Sequence, residues 1–229
     1  MEERIFNFSA GPAVIAESVL KKAADELLCY PGKGMSVMEM SHRSQMYIDI
    51  YDETVALLRK LMNVPENYEI LLVQGGATEQ FSAIPLNLMK HEGGSADFID
   101  SGNFAHVASE EAKKYGKVNI VASSREDGYT YVPDVKKIQW NADADYAYIC
   151  TNNTIYGTRY IEFPETGDIP LVADMSSNIL SQPVDVSKFG VIFAGAQKNI
   201  GPAGLCVMII RKDLVGKERP ITPKLMNWG

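Results

Sequence analysis

Residues 170–198 read PLVADMSSNILSQPVDVSKFGVIFAGAQK, and the rhythm of this stretch decides the fold class. The runs Leu171 to Ala173 and Val191 to Ala194 are apolar at every position. A strand apolar on alternate residues covers one face of a sheet, whereas a strand apolar throughout is buried on both. Each run then breaks into polar residues, Asp174 with Met-Ser-Ser-Asn behind it and Gly195-Ala196-Gln197-Lys198. Strands of this kind belong inside a largely parallel sheet flanked by helices. Ligands of such sheets gather beyond the carboxyl ends of the strands. Asp174 and Lys198 both stand at that kind of position.

Working outward, five more apolar runs predict strands at Glu69 to Val73, Ala96 to Ile99, Val118 to Val121, Tyr146 to Cys150 and Leu205 to Ile210. Helical spacing places Val19, Leu20, Ala23, Ala24, Leu27 and Leu28 on one amphipathic helix from about Glu17 to Leu28. Tyr47, Ile48, Tyr51, Val55, Leu58 and Met62 mark a second from Ser44 to Met62. Further helices are expected through Phe81 and Leu88 and near Val107 to Tyr115. The expected class is α/β, a mostly parallel seven-stranded sheet with helices on both faces. The chain has no internal repeat and no low-complexity segment. Its last residues, KERPITPKLMNWG, form a Pro-punctuated loop with no closing element, which predicts a fragment of a longer chain.

Composition narrows the function. Of 229 residues, 46% are hydrophobic and 22% charged, an ordinary globular balance that argues against disorder. The net charge of -7, with 22 scattered Lys and Arg, argues against a nucleic-acid partner, because phosphate binding needs clustered cations. No apolar run is long enough for a membrane span and the start is not a signal peptide, so a cytoplasmic protein without membrane contact is expected. The three cysteines, Cys29, Cys150 and Cys206, are odd in number and two lie in strand-like runs, so all are read as free thiols. His42, His91 and His106 lack metal-ligand spacing, and no metal is expected.

Three polar groups carry the chemistry. Gln74-Gly75-Gly76-Ala77-Thr78-Glu79 follows a strand and opens a helix, so free N–H groups and the positive helix end meet there. A plain glycine turn explains that segment equally well, and it fits neither the dinucleotide nor the P-loop pattern. Asp174 at the mouth of a buried strand needs a cation or several donors, or else serves as a helix cap or turn residue. Lys198, seen alone, is more readily a solvated loop lysine, although Gly195, Gly201 and Gly204 remove bulk around it. Taken together they suit one ligand. Pyridoxal phosphate needs an anion cradle for its phosphate, a carboxylate for its pyridine nitrogen and an amine for its aldehyde.

With those residues in view, six ordered motifs place the chain. FNFSAGPA at the start, Met40-Ser41-His42-Arg43-Ser44, QGGATEQF, TNNTIYGT, LVADMSSNIL and AGAQKNIGPAG resemble the phosphoserine aminotransferases, a family of fold-type I pyridoxal-phosphate enzymes in class V. The resemblance runs from residue 6 to about residue 226. It implies that Lys198 is the lysine joined to the cofactor and that Asp174 partners the pyridinium nitrogen. The backbone of Gly76 and Ala77, with Gln197, would surround the cofactor phosphate, Thr154 would bond near the ring oxygen, and Phe104 would stack on the ring where the family usually has tryptophan. Phe104 is also a natural core residue. Arg43 would take a substrate carboxylate through its two-pronged donor set, with Ser9 nearby and His42 near the substrate phosphate.

The resemblance further implies transamination between L-glutamate and 3-phosphohydroxypyruvate, giving O-phospho-L-serine and 2-oxoglutarate in serine biosynthesis. A homodimer is implied when the chain is full length. Residues 1–16 would be an N-terminal arm of the small, substrate-binding region, and 17–229 the cofactor-binding large domain, incomplete at its end. The small C-terminal domain would be missing. Ala77 stands where some members carry an arginine, so the substrate-phosphate pocket would draw charge from elsewhere. Two rival readings are another class V enzyme, such as an alanine–glyoxylate transaminase or a cysteine desulfurase, and a catalytically incomplete binding module. The apolar settings of Cys150 and Cys206 speak against the desulfurase, which needs an exposed nucleophilic thiol.

Overall fold

The computed structural model describes residues 4–229; Met1 to Glu3, the first part of the expected 1–16 arm, lie outside the described residues. Within them the chain forms α1 (Glu17–Leu27), α2 (Gln45–Met62), β1 (Tyr68–Gln74), α3 (Ala77–Leu88), β2 (Ser95–Asp100), α4 (Asn103–Ala112) and β3 (Lys117–Ser123). It continues through β4 (Tyr146–Cys150), β5 (Leu171–Asp174), β6 (Val191–Gly195) and β7 (Leu205–Arg211). Among these residues the seven strands make one sheet in the order β1-β7-β6-β5-β4-β2-β3. The pairs β2–β3, β2–β4, β4–β5 and β5–β6 are parallel. β7 runs against both β6 and β1. The mostly parallel seven-stranded sheet is thus the observed one. Strand β7 reverses because only Ala196 to Gly204 separate it from β6, fewer than the roughly dozen residues a parallel crossover requires.

Two cores lie on the two faces, and the strands feed them alternately. In β7, Cys206, Met208 and Ile210 enter one core and Val207 and Ile209 the other; in β4, Tyr146 and Tyr148 oppose Ala147 and Ile149. This is the period of two that makes a central strand apolar throughout. Helices lie on both faces, unequally. Phe81 and Ile84 of α3 with Ala105 and Ala108 of α4 cover one face. The other takes only the last turns of α2, through Leu58 and Met62, and is completed by coil residues such as Ile179 and Phe189.

Local chemistry sets the helix ends. The Ser44 hydroxyl accepts from the Tyr47 N–H at 3.4 Å and starts α2. Asn63, at φ 50°, closes it in the left-handed conformation. The Arg59 guanidinium then donates to the carbonyls of Val64, Pro65 and Tyr68 at 3.2, 2.8 and 2.9 Å, which steers the chain into β1. Helix α4 departs from the expected Val107 to Tyr115 and runs from Asn103 to Ala112. Its buried stripe is Ala105, Ala108 and Ala112, while Val107 faces solvent. Small residues carry little hydrophobic signal, so spacing misplaced the helix by one turn. Helix α1 buries none of its residues, and Val19, Leu20 and Leu27 are exposed on it.

One buried link joins the first strand to the middle of the sheet: the Tyr68 hydroxyl donates to the Phe189 carbonyl at 2.6 Å. Tyr68 is 1% exposed, so water does not replace that bond. Tyr68→Phe is expected to lower unfolding stability by about 1–2 kcal/mol, because a buried acceptor loses its donor. Urea denaturation, showing a lower midpoint with an unchanged slope, checks it.

Candidate functional site

The strand ends converge on a cleft. It is lined by Gly76, Ala77, Thr78 and Phe81 from the start of α3, Phe104 from α4, and Cys150 and Thr154 from the end of β4. Asp174, Ser176 and Ser177 come from the end of β5, and Gln197 and Lys198 from the end of β6. The cleft is small, about 120 Å³. A larger hollow of about 590 Å³ lies elsewhere, over Lys136, Glu162, Glu165 and Lys188. These four charges are already paired, Lys136 with Glu162 at 2.7 Å and Lys188 with Glu165 at 3.2 Å. The small cleft differs in chemistry: there buried Asp174 and Ser176 and half-buried Thr154, Ser177 and Lys198 line one space.

Gly76 is the N-cap of α3 and no side chain caps that helix end. The first N–H groups of α3 are therefore available to an anion. Gly75 reaches this turn at φ 89°, a conformation that favours glycine, and a side chain there would also meet the Glu79 carboxylate. Nothing lies within 4 Å of where a Cβ on Gly76 would stand, so the space over the helix start is open.

Asp174 is 4% exposed and closes β5. Its Oδ1 accepts from the Ser176 N–H at 2.9 Å, a turn of the kind a strand-end aspartate commonly makes. Burial pushes its carboxyl above the usual carboxylate range, and the donors of Ser176 and the charge of Lys198 offset only part of that. The turn role and the site role thus coexist in one residue. Burial also drives the thiol of Cys150 and the phenol of Tyr148 well above their ordinary values, with Asp174 adding to both. These two groups stay neutral beside the carboxylate.

Lys198 is half-buried. Its Nζ donates to Thr154 Oγ1 at 2.6 Å and to Ser177 Oγ at 3.1 Å, and lies 5.2 Å from the centre of the Phe104 ring. The two hydroxyls also hydrogen-bond each other. The N-terminal segment presses on the same loop, since the Ala13 N–H donates to the Gln197 carbonyl at 2.8 Å. A Cβ on Gly11 would stand 2.9 Å from Cγ of Lys198.

The fold therefore gathers Gly76, Ala77, Phe104, Thr154, Asp174, Gln197 and Lys198 around one space. Ser9, His42 and Arg43 are exposed and do not line it. Thr78, Phe81, Cys150, Ser176 and Ser177 line it although sequence reasoning passed over them. For the two serines a signal existed, because they directly follow Asp174 at the strand end.

Comparison with known proteins places the chain in a family. The aminotransferase class-V family model matches residues 5–224. The chain is 50% identical over 228 residues to the phosphoserine aminotransferase of Pseudomonas aeruginosa (strain LESB58), covering 100% of this chain and 63% of that protein. Its fold superposes on phosphoserine aminotransferase from Bacillus circulans subsp. alkalophilus with a TM-score of 0.96 at 42% identity, covering 99% of this chain and 63% of that one. For the PLP-bound phosphoserine aminotransferase of Trichomonas vaginalis the TM-score is 0.89 at 40% identity, with 98% and 63% covered. The chain thus spans less than two thirds of the length of these relatives. Because that family model covers nearly the whole chain, the chain belongs to the class-V aminotransferases.

Proposed function

We propose that this chain forms the cofactor-binding part of a pyridoxal-phosphate transaminase that moves an amino group between L-glutamate and 3-phosphohydroxypyruvate, yielding 2-oxoglutarate and O-phospho-L-serine for serine biosynthesis. The observation that carries the reading is the meeting of Asp174, Lys198 and the start of α3 at one cleft. The names of the relatives supply the substrate class, and the bound cofactor of the Trichomonas enzyme supports pyridoxal phosphate.

The residues present fit that cofactor. Asp174 is a buried carboxylate whose ionised form lacks adequate compensation, which suits a cationic ring nitrogen. The uncapped start of α3, with open space over Gly76, suits a phosphate. When bound, pyridoxal phosphate supplies an aldehyde that condenses with amines and a protonated ring that withdraws electrons from the substrate α-carbon.

This chain's own residues do the rest. Asp174 holds the proton on the ring nitrogen by remaining ionised beside it. The backbone of Gly76 and Ala77, with Gln197, would surround the phosphate. Thr154 would donate to the ring oxygen, and the Phe104 ring would cover the cofactor and exclude water. Nζ of Lys198 would be the amine that holds the cofactor and the base that takes the substrate α-proton. Arg43 binds a substrate carboxylate, with Ser9 beside it and His42 toward the substrate phosphate. Ala77 brings no charge, so that phosphate is neutralised by other groups.

Residues 4–16 contain no helix or strand and dock on the lysine loop through Ala13, which supports their role as an arm of the substrate region beside a large domain from residue 17. The exposed apolar side chains of α1, and Leu57 and Leu61 of α2, support a homodimer. Among the described residues no helix is long and apolar enough to cross a membrane. The proposed location is the cytoplasm, as for a biosynthetic enzyme of small molecules.

Three measurements test the reading. Lys198→Ala should abolish the visible absorbance of the cofactor–lysine adduct, its reduction by borohydride, and turnover; a variant that transaminates near the wild-type rate refutes the assignment. Asp174→Asn should have two opposite effects. It should weaken cofactor retention strongly, since losing one partner of a buried ion pair costs about 3–5 kcal/mol. In cofactor-free protein it should raise the melting temperature at neutral pH. A carboxyl whose pKa is raised on folding contributes stability below its unfolded value and loses it as pH rises through the folded value, so the gain should narrow on acidification toward the ordinary carboxylate range. Arg43→Ala should raise the KM for glutamate by about tenfold or more while cofactor absorbance persists, as expected for loss of a charged hydrogen bond; unchanged kinetics remove Arg43 from the site.

A further inference from the structure

Lys198 is held by two hydroxyls, of which only that of Thr154 has a role in the reading above. The second, Ser177, stands on a turn that is tied down on three sides. The Met175 N–H donates to the Phe193 carbonyl of β6 at 2.9 Å, and the Ser176 hydroxyl accepts from the Gly195 N–H at 3.1 Å. Thr151 Oγ1, just past β4, donates to the Asn178 side chain at 2.7 Å. Asn199, next to Lys198, donates to the Ile179 carbonyl at 2.7 Å. The position of Ser177 is therefore set by β4, β6 and the lysine loop itself, before any ligand binds.

From this geometry we infer that Ser177 is a positioning residue for Lys198, whose hydroxyl, paired with that of Thr154, forms a two-point seat for Nζ. The inference rests on Lys198 being the reactive amine. A tetrahedral nitrogen bonded to Cε has three remaining directions. Two of them are assigned to Thr154 and Ser177, and the third is thereby fixed. In a neutral amine that third direction is the lone pair, the part that attacks an aldehyde or accepts a proton. A lysine stem otherwise rotates about several bonds, so a single hydrogen bond would leave the lone pair unaimed. Once Thr154 donates to a ligand oxygen, Ser177 remains as the hydroxyl that keeps the amine in place. Preorganisation of this kind speeds reaction by fixing geometry in advance.

The test compares Ser177→Ala and Ser177→Thr with wild type in the same protein, with thermal melting as a check on folding. In cofactor-free protein, labelling of Lys198 by acetic anhydride is followed by peptide mass spectrometry, with exposed Lys21 as the internal standard. Separately, the rate of appearance of the borohydride-reducible adduct is followed after adding pyridoxal phosphate. Ser177→Ala should speed anhydride labelling and slow adduct formation, each by about fivefold, the scale of one hydrogen bond. Ser177→Thr, which keeps the hydroxyl, should restore both. Opposite signs with an unchanged melting temperature and rescue by threonine mark loss of aim; a loosened or unfolded site would lower the melting temperature as well. Equal rates in Ser177→Ala and wild type, or equal impairment in the alanine and threonine variants, overturn the inference. If wild type forms no adduct, the proposed cofactor falls, while anhydride labelling still decides whether the seat exists.

Discussion

The structure depends on one constraint: a carboxylate, Asp174, is kept almost dry at the end of a strand in the middle of the sheet. An ionised group there is unfavourable without a compensating cation. The fold supplies partial compensation through Ser176 and Lys198 and leaves the remainder open. That shortfall is the reason the proposed function seats a cationic ring beside it. The neighbouring Cys150 and Tyr148 are kept neutral by the same burial, so they frame the carboxylate without competing for the role.

Around that carboxylate the architecture is economical. Parallel strands deliver their carboxyl ends to one edge of the sheet, so β1, β2, β4, β5 and β6 each hand a residue or a helix start to the same space. The antiparallel β7 serves a different purpose. By turning back at once it leaves the loop from Ala196 to Gly204 short, and that loop carries Lys198. The Gly75 N–H donates to the Gly204 carbonyl at 3.0 Å, which ties the lysine loop to the turn that opens α3. The turn from Asp174 to Ile179 is bonded to Thr151 just past β4, to β6 and to Asn199, so acid and amine share one hydrogen-bonded network.

Much of this was legible in the residues. All seven strands were visible as apolar runs; for β4 to β7 the reason is burial on both faces, which leaves no polar position to hide the strand, whereas the edge strand β3 buries none of its residues. Lys198, Asp174 and the Gly76–Ala77 turn were legible because each follows such a run. The roles of Phe104, Thr154 and Gln197, and of Ser9, His42 and Arg43, came only from family resemblance. The fold then brought the first three to the cleft and left the last three exposed outside it. Helix α4 was misplaced because its packing stripe is alanine. The reversal of β7 could have been read from the shortness of its connection, though not from its composition.

The sequence by itself determined the class of the fold, the number of strands and the residues at their ends, since burial on both faces and the breaks after each strand are local properties of the chain. Tertiary structure alone decided the order of the strands, and with it that β4, β5 and β6 are neighbours. That adjacency brings Thr154, Ser177 and Lys198 within hydrogen-bond reach. No spacing along the chain encodes it, because pairing between strands is settled by which faces and edges pack best once all of them are present.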